Sequence, residues 1–72
     1  MSFIYRVQIH CHKDGSICEN EYNNYSSAME EFQEDCSIFL TFSCTISLSR
    51  RWEDGNYKTL YLANFVDMDD AE

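Results

Sequence analysis

Apolar and polar residues alternate with period two along much of this chain. From Ser37 to Trp52, Ile38, Leu40, Phe42, Cys44, Ile46 and Leu48 take every second position. Ser37, Thr41, Ser43, Thr45, Ser47 and Ser49 lie between them, and Phe39 is the one large apolar exception. Successive side chains of a strand point to opposite faces, so the pattern predicts one long strand with a dry face and a hydroxyl-rich wet face. Residues 3–12 alternate likewise, with Phe3, Tyr5, Val7, Ile9 and Cys11 on one side and Ile4, Arg6, Gln8, His10 and His12 on the other. Asp14-Gly15 then suits a two-residue hairpin turn. The return strand, residues 16–22, is thereby set with Cys18 opposite Cys11 and Glu19 opposite His10. A second Asp-Gly pair, Asp54-Gly55, predicts a similar hairpin into a strand over residues 57–66. Its register places Trp52 against Tyr57, Arg51 against Lys58, Leu48 against Tyr61, Ile46 against Ala63 and Cys44 against Phe65.

Between the hairpins the period changes. Tyr25, Ala28, Met29, Phe32 and Cys36 fall at i, i+3, i+4, i+7 and i+11, which is one stripe of a helix from Tyr25 to Asp35. Asn24 supplies the side-chain oxygen that caps its first turn. The predicted order is ββαββ. The fold class is therefore α+β, a single domain over residues 1–66 whose antiparallel sheet carries one helix on its dry face. Residues 67–72 form an acidic tail.

A chain of 72 residues buries only about 60% of its extended surface, so the domain is small and its stability modest. No apolar run approaches the roughly 18 residues of a membrane span. The first residues lack the basic segment and apolar block of a signal peptide. The expectation is a cytoplasmic protein whose Cys11, Cys18, Cys36 and Cys44 are thiols on dry-face positions. A Cys11–Cys18 disulfide is the alternative in an oxidising compartment. The cysteines show no C-x2-C spacing, and His10 and His12 face away from Cys11. Two imidazoles fall short of the four ligands of a structural zinc, so no metal or cofactor is expected. Both glycines are used in turns, no phosphate loop or nucleophile elbow exists, and an enzyme is not expected.

The formal net charge of −8 argues against direct binding to nucleic acid or to an anionic membrane. Two candidate surfaces remain. The first is acidic: Glu30, Glu31, Glu34 and Asp35 on the helix, with Asp67, Asp69 and Asp70 in the tail. Glu30 and Glu34 are i,i+4 neighbours that repel, and acids near a helix C-terminus oppose its dipole. The second is apolar: Phe39, Leu60, Leu62 and Val66 on the wet face of the second hairpin, a seam through which copies could form a homodimer.

A proline-free acidic chain of this size and element order, without a catalytic motif, resembles the small phage-encoded inhibitors of bacterial defence, especially anti-CRISPR proteins. The resemblance covers the whole chain in size, charge and order and rests on no motif, so no residue role transfers by position. It implies a non-enzymatic binder whose acidic surface occupies the basic nucleic-acid site of a Cas protein or complex in a bacterial cytoplasm. Arg50-Arg51 interrupts the acidic surface, which favours blocking or docking over mimicry of a duplex.

Overall fold

The computed structural model of the chain describes residues 3–38 and 42–66. Strands β1 (Tyr5–Cys11) and β2 (Ile17–Tyr22) precede helix α1 (Tyr25–Ile38), and strands β3 (Cys44–Arg51) and β4 (Tyr57–Phe65) follow it. All neighbouring strands are antiparallel and the sheet order is β2-β1-β3-β4. The fold is thus α+β in the expected ββαββ order. The two hairpins join through β1 and β3, leaving β2 and β4 as edges.

Alternation places the core. Val7 of β1, Ala28 of α1 and Cys44, Ile46 and Leu48 of β3 are buried, ringed by Tyr5, Ile9, Tyr22, Met29, Phe32, Cys36 and Phe65. Each large aliphatic buried here contributes about 1.5–3 kcal/mol of transfer free energy. The helix starts where expected: the Ser27 amide donates to Asn24 Oδ1 at 2.8 Å, satisfying one of the orphan donors of the first turn.

The helix continues beyond the expected Asp35 end to Ile38, and the strand expected from Ser37 begins only at Cys44. No glycine or proline lies between Asp35 and Cys44 to stop a helix. A period-two pattern that short could therefore not fix the boundary. Ile38, expected on the dry face, is a 57% exposed helical residue, and Phe42 is 54% exposed. Phe39, Leu40 and Thr41 lie outside the described residues.

Neither turn is the expected two-residue type, which requires positive φ at both central positions. Only the glycines take it, Gly15 at φ 71 and Gly55 at φ 88. In each turn the aspartate instead accepts a backbone amide two residues on, Ser16 N–H to Asp14 Oδ1 and Asn56 N–H to Asp54 Oδ1, both at 2.9 Å. The first hairpin is consequently shifted: His10 faces Ile17, Ile9 faces Cys18 and Gln8 faces Glu19. A shift of two keeps every side chain on its expected face but separates Cys11 from Cys18 and His10 from Glu19.

The second hairpin closes with Gly55 N–H donating to Trp52 O at 2.9 Å and Trp52 N–H to Asn56 O at 2.8 Å. Near the turn Arg51 faces Tyr57, Arg50 faces Lys58 and Ser49 faces Thr59, one residue off the expected register. Leu60 is then left over as a bulge, and the expected pairs Leu48–Tyr61, Ile46–Ala63 and Cys44–Phe65 resume beyond it.

Candidate partner-binding surfaces

The helix presents its carboxylates unequally. Glu30 and Glu34 are exposed and Glu31 is half-buried. Asp35, expected among the solvent-facing acids, is only 8% exposed. Its position explains this: Asp35 follows Ala28 by seven residues and so returns to the stripe that faces the sheet. Loss of hydration, followed by the Glu31 charge and a hydrogen bond with Glu31, raises its pKa to about 6. The same group of acids bears on Tyr22, whose phenol is raised first by burial and then by Glu31, Asp35 and Glu34. Among the described residues no lysine or arginine forms an ion pair with Glu30, Glu31 or Glu34; the one such pair is Arg6 with Glu19, at 3.6 Å. Asp67, Asp69 and Asp70 lie outside the described residues.

The face of the sheet away from the helix is more structured than alternation suggests. Arg6 stacks on the Tyr57 ring, 3.9 Å from its centroid, and the Tyr57 hydroxyl donates to Glu21 Oε1 at 3.1 Å. A side chain from one edge strand thus reaches the other edge, across Arg6. Ser49, opposite Arg6 on β3, is left 3% exposed. This assembly depends on the strand order, which no local pattern encodes.

Further along that face, Thr45 donates to Asn64 Oδ1 at 2.9 Å. Its oxygen lies 2.7 Å from His12 Nε2. Since the threonine proton is committed to Asn64, the His12 N–H is the donor. The His10 and His12 rings meet edge to face, 5.9 Å apart. Among the described residues no three His, Cys, Asp or Glu side chains gather as metal ligands.

Of the four residues expected on the apolar surface, the three described ones are exposed. Leu60, Leu62 and Val66 are 37%, 66% and 54% exposed, while Phe39 lies outside the described residues. Beside the second turn, Arg50 sits between the rings of Phe3 and Trp52, at 4.5 and 3.8 Å. A shallow groove of about 480 Å³ lined by Phe3, Trp52, Glu53 and Asp54 opens next to it. Pairing of Arg50 with two aromatics is legible only once β1 and β3 are known to be neighbours.

The cysteines divide. Cys44 is buried, Cys11 and Cys36 are half-buried, and Cys18, expected on the dry face, is exposed. It lies on edge strand β2, of which only Tyr22 is even half-buried. No described helix is long and apolar enough to cross a membrane. Comparison with known protein families, curated proteins and solved structures finds no match to this chain.

Proposed function

We propose that the chain is a non-enzymatic inhibitor of the anti-CRISPR type. It acts in a bacterial cytoplasm by laying the acidic face of α1 against the basic nucleic-acid site of a Cas protein or complex. Glu30, Glu31 and Glu34 make the contact, with Asp67, Asp69 and Asp70 assisting; Asp35 takes no direct part because it is buried.

One observation carries the reading. Glu30 and Glu34 stand one turn apart on the exposed face of α1, and no described cation pairs with them. Like charges at this spacing destabilise a helix by a few tenths of a kcal/mol. Folding gains nothing from this placement, whereas lysines and arginines of a partner would relieve the repulsion and speed encounter.

The experiment is phage challenge of bacteria with active CRISPR immunity, with and without the protein. Wild type is expected to restore plaques and to bind the purified effector complex. Glu30→Lys with Glu34→Lys is expected to weaken that binding at least tenfold, on the order of a single charge-pair coupling. Undiminished binding by this variant, at unchanged helicity, ends the proposal. The exposed Leu60, Leu62 and Val66 favour a second reading, an adaptor that pairs with its own copy through this edge of the sheet.

A further inference from the structure

We propose that Cys11 and Cys44 form a peroxide-responsive dithiol that closes to a disulfide between the two central strands. The two residues stand directly opposite each other in the β1–β3 ladder. His12 N–H donates to Ser43 O at 3.0 Å and Arg51 N–H to Ile4 O at 2.8 Å. These bonds put the even-numbered residues of β1 and the odd-numbered residues of β3 at the hydrogen-bonded sites, so Cys11–Cys44 is a non-hydrogen-bonded pair. Such pairs bring their Cα atoms to about 4.5 Å with side chains close on one face, inside the roughly 4.4–6.8 Å window of a disulfide. The equivalent sites along the ladder hold Ile9–Ile46 and Val7–Leu48, which are in the core or packed against it. Thiols replace hydrocarbon only at the open end.

Access comes from a second feature. A groove of about 200 Å³, lined by Cys11, Lys13, Asp14, Phe42 and Ser43, opens onto Cys11 and admits a small oxidant. Cys44 is buried behind it. Burial also pushes the Cys44 and Cys36 thiols up, and Cys11 is the cysteine that lines the groove, so an oxidant entering there meets Cys11 before Cys44. The Cys11 thiolate attacks a peroxide oxygen, the O–O bond breaks, and hydroxide leaves as water on taking a proton. The sulfenic acid formed on Cys11 is then attacked by the Cys44 sulfur. The S–O bond breaks, the S–S bond forms, and the second water carries off the Cys44 proton. Two thiols and one hydrogen peroxide become one disulfide and two waters. A small thiol entering the same groove reverses the reaction by exchange. This inference is independent of the proposed partner.

The test uses the full chain carrying Cys18→Ser and Cys36→Ser, treated with hydrogen peroxide. The expected product is a monomer lighter by two hydrogens, with both remaining thiols closed to alkylation after unfolding and reopened by dithiothreitol. Its melting temperature should rise by on the order of 10 °C, since the bond closes a long loop. An oxygenated Cys11 beside an alkylatable Cys44, or a covalent dimer, overturns the proposal. In the wild-type chain, peptide mapping should join Cys11 to Cys44; a Cys11–Cys36 link overturns it equally.

Discussion

Asp35 is the residue at which side-chain type and helical spacing disagree, and spacing prevails. A carboxyl held at 8% exposure beside Glu31 is more costly ionised than protonated. Its pKa rises from 3.8 to about 6 on folding, so between those values the folded state holds more protons than the unfolded one. Stability from this group is therefore complete below about pH 4, falls as pH rises through 6, and stays lost at neutral pH. Asp35→Asn should accordingly be more stable than wild type at pH 7, by on the order of 2 kcal/mol, and nearly equal to it at pH 4. Urea titrations at the two pH values measure this; a variant less stable than wild type at pH 7 contradicts it. The signal was present in the sequence, because Asp35 completes an i, i+4, i+7 set with Ala28 and Phe32. A residue's chemistry alone assigns it to solvent, and only the spacing places it against the sheet.

At the scale of elements, what could be read ahead was whatever depends on period and on local hydrogen bonding. The faces of β1 and β3, and of β4 from Tyr61 onward, follow from alternation, and the start of α1 follows from Asn24. Asn24→Ala should cost about 1 kcal/mol by orphaning the Ser27 amide. Replacement by Ser, another strong cap, should recover most of that in thermal unfolding. The end of α1 was not legible, because nothing between Asp35 and Cys44 punctuates the chain. The turn lengths were not legible either. Asp-Gly serves a two-residue turn as readily as one in which only the glycine is left-handed and the aspartate receives an amide.

For the molecule as a whole, the decisive fact is the order β2-β1-β3-β4. It creates contacts between residues remote in sequence, among them Tyr57 with Glu21 and Cys11 with Cys44, and none has a local signature. It also gives the sheet two unlike edges. β2 carries Glu19 and Glu21, charges that discourage pairing with another sheet, whereas β4 between Thr59 and Phe65 carries none. If copies pair, β4 is where they meet. Light scattering should then show a concentration-dependent dimer that Leu62→Asp abolishes; a strict monomer at millimolar concentration removes the adaptor reading and leaves the inhibitor reading untouched.

The leftover Leu60 has a consequence for how such a chain tolerates change. The turn after β3 throws the hairpin out of phase by one position, and Leu60 returns it to phase before the core begins. Thr59 and Tyr61, two residues apart, therefore pair with adjacent residues of β3, Ser49 and Leu48, and stand on opposite faces. Deleting Leu60 alone would bring Tyr61 directly after Thr59, still opposite Leu48, so Tyr61, Ala63 and Phe65 would keep facing the core and only the bulge would be lost. Loss of one residue at the bulge should therefore be tolerated without a compensating change at the tip, whereas loss of one residue from the regular ladder between Tyr61 and Phe65 would turn the rest of the strand over.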